Sequence, residues 1–277
     1  MTNLDERTIA GFHSIWKRNR GDVQGADDES DSRAAFDNFF SIFPIDALKS
    51  AEGFDLGCGG GRIARFVAPK VGRLHCIDPA PGAIAAARDA LRQFANVEFH
   101  QASVSAIPLA DGSQDFGYSL GVLHHLPDPE AGLRSCVAKL KPGAPFLFYV
   151  YYRFDDRPAW FRLLWRASDV ARRGVSKMPF VFRRGFSDVV AALAYWPLSR
   201  TARLLEKGGR QVDHLPLSFY RRSSWATLRA DSLDRFATPL EHRFTRDEVA
   251  AMMTHARLSA IRFHEGPPYW VAVGWKA

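Results

Sequence analysis

From residue 52 onward, apolar residues along the chain alternate between two spacings. Short apolar runs bounded by glycine, proline or charged residues read as strands, and stretches with apolar positions three and four apart read as helices. Strands are predicted at 53–56, 73–77, 97–100, 116–120 and 145–152, the last strongly apolar and aromatic. Helices are predicted at 61–68, 83–94 and 129–140, with the turn Lys141-Pro142-Gly143 stopping the third. Five strands separated by helices within about 100 residues imply right-handed crossovers and the parallel sheet of an α/β protein.

The alternation breaks at residue 153. Residues 153–243 are rich in Arg, Trp, Phe and Leu, mostly helical in pattern, and interrupted at Pro158, Pro179, Pro197 and Pro216. Order returns at Thr245-Arg246-Asp247-Glu248, a capping-box pattern that opens a helix to about Ala256. Two closing strands, 259–264 and 269–275, are joined tightly by Gly266-Pro267-Pro268 and are expected to pair antiparallel. Ahead of the first strand, residues 1–50 read as a helical extension. It carries Phe12 and Trp16, then an acidic Gly/Ser stretch at 22–31 expected to be a mobile loop. Phe36, Phe39, Phe40 and Phe43 follow at helical spacing, suited to core packing or to folding over a ligand pocket. Four segments result: an N-terminal cap (1–50), a ligand-binding core (51–152), a helical insertion (153–243) and a C-terminal completion of the sheet (244–277).

Composition narrows this picture. With 277 residues, 47% of them hydrophobic, the chain can build one large domain or one domain carrying a sizeable insertion. No run of about 18 apolar residues occurs, so no transmembrane helix is expected. The opening Met1-Thr2-Asn3-Leu4-Asp5-Glu6 lacks the basic-then-apolar order of a secretory signal. Cys58, Cys76 and Cys136 lie far apart with no Cys-x-x-Cys pair, which points to reduced thiols in a cytoplasmic protein and away from zinc or disulfides. The net charge of +7 is uneven: Arg153 to Arg243 carry 18 Lys+Arg against 9 Asp+Glu, leaving −2 for the rest. Such a segment could face an anionic substrate, a nucleic acid or a membrane surface, or simply present solvated helix faces.

The chemistry concentrates at a glycine loop, Asp55-Leu56-Gly57-Cys58-Gly59-Gly60-Gly61, between a strand end and a helix start. There the backbone can approach a ligand and present N–H groups to it. A dinucleotide fingerprint, Gly-x-Gly-x-x-Gly, would need a glycine where Arg62 stands. An acidic residue just ahead of the loop suits a cationic amino-acid ligand better than a pyrophosphate. Asp78, 21 residues beyond Gly57, stands where a carboxylate accepts from ribose hydroxyls, or else it caps the helix after Pro79.

Together with Cys76-Ile77-Asp78-Pro79, the run from Asp115 through Gly121-Val122-Leu123-His124-His125 to Asp128, and Leu140-Lys141-Pro142-Gly143, residues 52–152 resemble the core of class I S-adenosylmethionine-dependent methyltransferases. The resemblance implies a Rossmann-like fold with a seven-stranded, mostly parallel sheet and an antiparallel last strand. It implies S-adenosyl-L-methionine as cofactor, with Asp55, Gly57, Cys58, Gly59 and Gly61 holding its methionine moiety and Asp78 with Pro79 at its ribose. Ala102, Ser103 and Val104 would lie by the adenine, although many relatives carry an Asp at or beside Ser103. Leu120, Gly121 and Val122 would line the cofactor, and Trp16 would close over it.

His124 and His125 adjoin that point, so one could serve as general base on a hydroxyl or amine; the alternative is packing beneath the cofactor. No carboxylate cluster completes the pair as a metal site, and no metal is expected. The proposed substrate wall comprises Tyr151, Tyr152 and Arg153, then His214, Phe219, Tyr220, Arg221 and Arg222, with Tyr269 and Trp270 near the closing hairpin. The leading expectation is methyl transfer to an O, N or C centre of a metabolite, sugar or lipid-like compound. The alternatives are an RNA methyltransferase using the basic insertion and a cofactor-binding protein without transferase activity. An Asn/Asp-Pro-Pro-Tyr/Phe motif is missing after the fourth strand, which disfavours nucleic acid. An exposed apolar face on the insertion would favour a partner interface or a homodimer.

Overall fold

The computed structural model describes residues 3, 29–155, 157–266 and 270–277. In chain order the elements are α1 (Glu29–Phe40), β1 (Glu52–Leu56), α2 (Ala64–Val67), β2 (Arg73–Asp78), α3 (Pro81–Ala90), β3 (Val97–Gln101), β4 (Phe116–Leu120), α4 (Pro129–Lys139) and β5 (Pro145–Tyr149). Helices α5 (Ala159–Val175), α6 (Phe180–Val190), α7 (Trp196–Lys207) and α8 (Trp225–Ala237) follow, and α9 (Arg246–His255), β6 (Leu258–Phe263) and β7 (Val271–Lys276) complete the chain. They fall into two compact units. One contains residues 32–153 and 240–277; the other contains 154–239 with the chain just before Ser32.

In the first unit the seven strands lie in the order β3-β2-β1-β4-β5-β7-β6. Strands β1 to β5 pair in parallel, while β7 runs antiparallel to both β5 and β6. Each face buries its own core. The α1 phenylalanines pack with Leu74, Tyr118 and Leu147 on one side, while Phe54, Ile77 and Phe148 pack with Leu133 and Met253 on the other. Two glycines make room for this packing. Gly53 pairs with Phe116 and Gly117 with Phe54, and a Cβ at either would sit 2.4 Å or 2.5 Å from the facing ring.

The second unit is helical. The α6 and α8 helices are tied by Arg229 Nε to Asp188 Oδ1 (2.9 Å) and by Ser232 Oγ donating to the Ser187 carbonyl (2.9 Å). On α5, Asp169 and Arg172 form a buried ion pair at 2.8 Å, and Arg172 also donates to the carbonyls of Thr238 and Pro239. A π-helical turn, Ala191–Tyr195, links α6 to α7.

Some boundaries move. The helix expected at 61–68 shrinks to α2, because the Gly61 N–H turns back to the Cys58 carbonyl (2.9 Å) and Pro69 converts the end into a 3-10 turn at Ala68–Lys70. The helix expected at 83–94 begins two residues earlier, with Pro81 in its first turn, where its missing N–H costs nothing. The fifth strand ends at Tyr149, and Tyr152 instead forms an isolated parallel bridge to Phe244. The loop expected at 22–31 is helical from Glu29, and Asp31 accepts from Ser224 N (2.8 Å) and Thr227 Oγ1 (2.7 Å). The capping box of α9 forms, with Thr245 and Glu248 each accepting from the other's backbone N–H. Among the described residues no helix is long and apolar enough to cross a membrane.

Candidate functional site

The chain leaves β1 through three left-handed glycines, Gly57 (φ 79°), Gly59 (φ 53°) and Gly61 (φ 78°). Only glycine adopts such angles without strain. At Gly57 there is also no space, since a Cβ would lie 2.2 Å from Val122 Cγ2, so the loop rests directly on the turn after β4. The N–H groups of Gly57 and Cys58 both donate to the Ile77 carbonyl (2.7 and 3.2 Å), which binds the loop to the end of β2. Asp78 finishes this cradle, its two oxygens accepting from Gly59 N (3.1 Å) and Ala80 N (2.9 Å). Asp78 does not cap the helix that follows, whose N-cap is Ala80 without a side-chain bond; its carboxylate instead ties the strand end to the glycine loop and to the turn at Ala80.

Both acidic residues are desolvated. Burial pushes the Asp55 carboxyl up to about 8, with the Asp78 charge adding and the Tyr118 phenol opposing. Burial likewise raises Asp78 to about 6, against the pull of its two backbone N–H donors. Neither makes a salt bridge among the described residues. Two desolvated carboxyls without an ion-pair partner among the described residues, beside glycines that admit no side chain, suit a ligand carrying an ammonium and a sulfonium, which S-adenosylmethionine does. Cys58 is buried and its thiol is pushed up by Cys76 and by burial, so it stays neutral and packs. Ser103 precedes the 3-10 turn Val104–Ala106 without a side-chain cap bond, Val104 is buried, and Ala102 N donates to the Asp78 carbonyl (3.2 Å). Gly121 (φ 75°), which follows Leu120, donates its N–H to the Tyr149 carbonyl at 3.1 Å.

Beyond Gly121, a 3-10 turn Leu123–His125 holds both histidines buried. The His124 ring stacks on Tyr151 (3.8 Å between centroids, 30°) and meets the His125 ring at 4.1 Å. Burial, with His125, Arg243 and His242 nearby, holds His124 well below the usual imidazole range, so it is neutral. His125 Nδ1 lies 2.8 Å from the Leu240 carbonyl. A carbonyl can only accept, so Nδ1 carries a proton, and any acceptor role of this ring falls to Nε2.

The segment from Leu240 supplies residues that sequence reasoning had placed in the insertion. His242 N donates to the His124 carbonyl (2.9 Å). The Arg243 guanidinium lies over the Tyr151 ring at 5.1 Å, pairs with the buried Glu241 at 2.7 Å and donates to the Tyr152 carbonyl at 3.0 Å. The signal available in the sequence was a polar triplet just ahead of the α9 capping box.

The substrate candidates divide. Tyr151 joins the histidines, while Tyr152 is buried edge-on against Trp270. Arg153 is occupied in clasping the chain, donating to the Arg243 carbonyl and pairing with Glu248 at 2.8 Å. In the helical unit Arg221 pairs with Glu206 (2.8 Å) and Asp213 (3.4 Å), Arg222 pairs with Glu206, and Tyr220 packs on Tyr195 and Phe219. Tyr269 and Trp16 lie outside the described residues.

Comparison with known proteins accords with this geometry. Residues 54–148 match the family model described as a methyltransferase domain. A ubiquinone biosynthesis O-methyltransferase of Xanthomonas campestris pv. campestris is 34% identical over 119 residues, covering 42% of this chain and 48% of that protein. The Pseudomonas fluorescens protein of the same description is 30% identical over 154 residues, covering 53% of this chain and 64% of its own length. The chain thus spans about half to two thirds of these relatives. A Haloferax volcanii chain solved in complex with a methyltransferase activator covers 99% of both chains at 14% identity with a TM-score of 0.53, a likeness of fold.

Proposed function

We propose, from the premise that residues 54–148 are a methyltransferase domain of the class I S-adenosylmethionine-dependent fold, that the chain methylates a hydroxyl of a small molecule with a planar, apolar body. When bound, S-adenosylmethionine supplies a methyl group on a sulfonium that is ready to leave. The protein's share is to place that group and the acceptor, exclude water and take up a proton. Asp55 and the backbone of Gly57, Cys58, Gly59 and Gly61 hold the amino-acid end. Asp78 with Pro79 receives the ribose, Ser103 and Val104 face the adenine, and Leu120 and Gly121 form the wall beneath.

The observation that carries the choice of a hydroxyl is the His125 Nδ1 bond to the Leu240 carbonyl. It fixes the tautomer in which Nε2 receives the acceptor's proton as the C–O bond forms. His124, held neutral and stacked on Tyr151, contributes a dry, uncharged floor. Tyr149 and Tyr151, with Arg243 over the latter ring, offer the aromatic and cationic wall that a planar acceptor needs. The O-methyltransferase relatives fit an oxygen acceptor.

A labelled-methyl assay against a panel of phenols and catechols tests the reading. Product carrying label on oxygen is expected, and His125→Ala should lower kcat by about 100-fold or more, with KM little changed. Turnover by His125→Ala equal to wild type across pH would remove the base. Unchanged cofactor affinity in Asp78→Ala, read by calorimetry, would remove the ribose assignment.

A further inference from the structure

Among the described residues, every large hydrophobic side chain that is exposed lies between Trp160 and Trp225, in the helical unit. They are not scattered. On α5, Trp160, Leu163, Leu164 and Val170 follow the three-and-four spacing of one helix face, with exposed Ala167, Ala171 and Gly174 filling it in. Leu163 and Val170 are 69% and 70% exposed. The opposite face buries Asp169, Arg172 and Val175. The pattern repeats where α6 runs through the π-helical turn into α7. Phe182, Phe186, Val189, Leu193 and Trp196 are outward, while Ser187, Ala191, Tyr195 and Ser199 are inward.

Charge selects the occupant. Residues 157–207 contain eleven Lys and Arg against three Asp and Glu. The three acids are consumed by ion pairs within the unit: Asp169 with Arg172 and Arg173, Asp188 with Arg184 and Arg229, and Glu206 with Arg221 and Arg222. Exposed Arg162, Arg166, Lys177 and Arg203 therefore dominate the surface. At 3.6 residues per turn, Arg162 and Arg166 fall together along one edge of the α5 stripe, in line with Arg173, which pairs with Asp169. An apolar stripe with cations beside it is what a helix lying in a headgroup layer requires, with side chains in the acyl boundary and guanidinium groups at phosphate level. A second copy on the same face would bring like charges together. A nucleic acid would leave the leucines and valines without a partner. Among the described residues no helix is long and apolar enough to cross the bilayer, so a contact of this kind would lie along its surface.

We propose that the outward faces of α5 and of the α6–α7 segment form a docking surface for a membrane rich in anionic phospholipid. The proposal stands apart from the methyl-transfer reading, because membrane binding is measured with neither cofactor nor acceptor present. The full chain is sedimented with vesicles of phosphatidylcholine, with and without phosphatidylglycerol, while tryptophan emission is recorded. Binding to the anionic vesicles alone, weakened by salt and accompanied by a blue shift, is expected. Leu163→Gln with Leu164→Gln should lower the affinity by roughly tenfold or more, and Arg162→Glu with Arg166→Glu by a similar factor. These side chains are exposed, so thermal melting and cofactor affinity should stay as in wild type. The milder Arg162→Gln with Arg166→Gln serves if the reversal disturbs folding. Equal binding to neutral vesicles overturns the proposal. So does failure to bind either kind, whether the chain then sediments as a dimer, is retained on RNA or does neither.

Discussion

The two units of this chain differ in what they leave outside: both bury apolar side chains, but among the described residues only the helical unit also exposes large ones. The sheet unit places Phe54, Phe116, Phe146 and Phe148 out of water and turns most of its charge outward. The helical unit buries an Asp169–Arg172 pair and several serines, and turns Trp160, Leu163, Phe182 and Leu193 outward. A soluble core gains stability from apolar area removed from water, at about 25 cal/mol per Å². The helical unit keeps part of that gain through buried Val212, Leu228, Leu233 and Phe236, sets a buried ion pair beside them, and leaves a second set of large apolar side chains outside. The first arrangement is one a sheet needs to exist. The second makes sense for a surface whose apolar side meets something other than water.

Three measurements can break or sharpen that contrast. The largest difference is expected between two apolar truncations. Phe54→Ala should cost about 3–5 kcal/mol in denaturant unfolding, whereas Leu164→Ala, on the outward stripe, should stay within about 0.5 kcal/mol. Comparable losses would mean that the stripe is part of a folding core. Next, Asp169→Ala should destabilise the helical unit by about 3 kcal/mol, because Arg172 is left as a buried charge. If melting of that variant matched wild type, the buried pair would not be contributing to the packing of α5.

The smallest effect concerns pH and belongs to the sheet unit. Asp55 and Asp78 have folded pKa values of about 8 and about 6, above the 3.8 of an ordinary carboxyl. The folded, ligand-free protein therefore holds protons that the unfolded chain has released. Its stability should fall as pH rises from about 4 through 8. A cationic ligand favours the ionised carboxyls, so cofactor affinity should climb by up to roughly tenfold between pH 6 and 8, with proton release on binding. Calorimetry in buffers of differing ionisation enthalpy reads both, and an affinity flat across that range would contradict the raised carboxyl pKa values.

How much of this was legible from sequence depends on how local its cause is. Strand β4 stands at Phe116–Leu120, as its apolar run indicated, and the α9 capping box forms because its four residues need nothing else. That Asp55, the loop glycines and Asp78 lie close together was legible because a strand end and its turn bring them together within 24 residues. The fifth strand was overextended because apolar composition continues past Tyr149, whereas its β4 partner ends at Leu120. Glu241, His242 and Arg243 escaped notice for a different reason. They reach the histidine pair only when the chain returns after about 90 residues, and no local pattern encodes that return. The inverted polarity of α5 was equally hidden, since a helical stripe reads the same whether it faces a core or the outside.

The return itself is made by very few atoms. Tyr152 bridges to Phe244, and the Arg153 guanidinium donates twice to the Arg243 carbonyl, so the two strands of chain leaving the sheet are fastened side by side. Closing a loop grows only slowly more costly with its length, by about 0.6 kcal/mol per doubling. With its ends fastened in this way, an insertion of about 90 residues adds little closure cost beyond that of a much shorter one at the same junction.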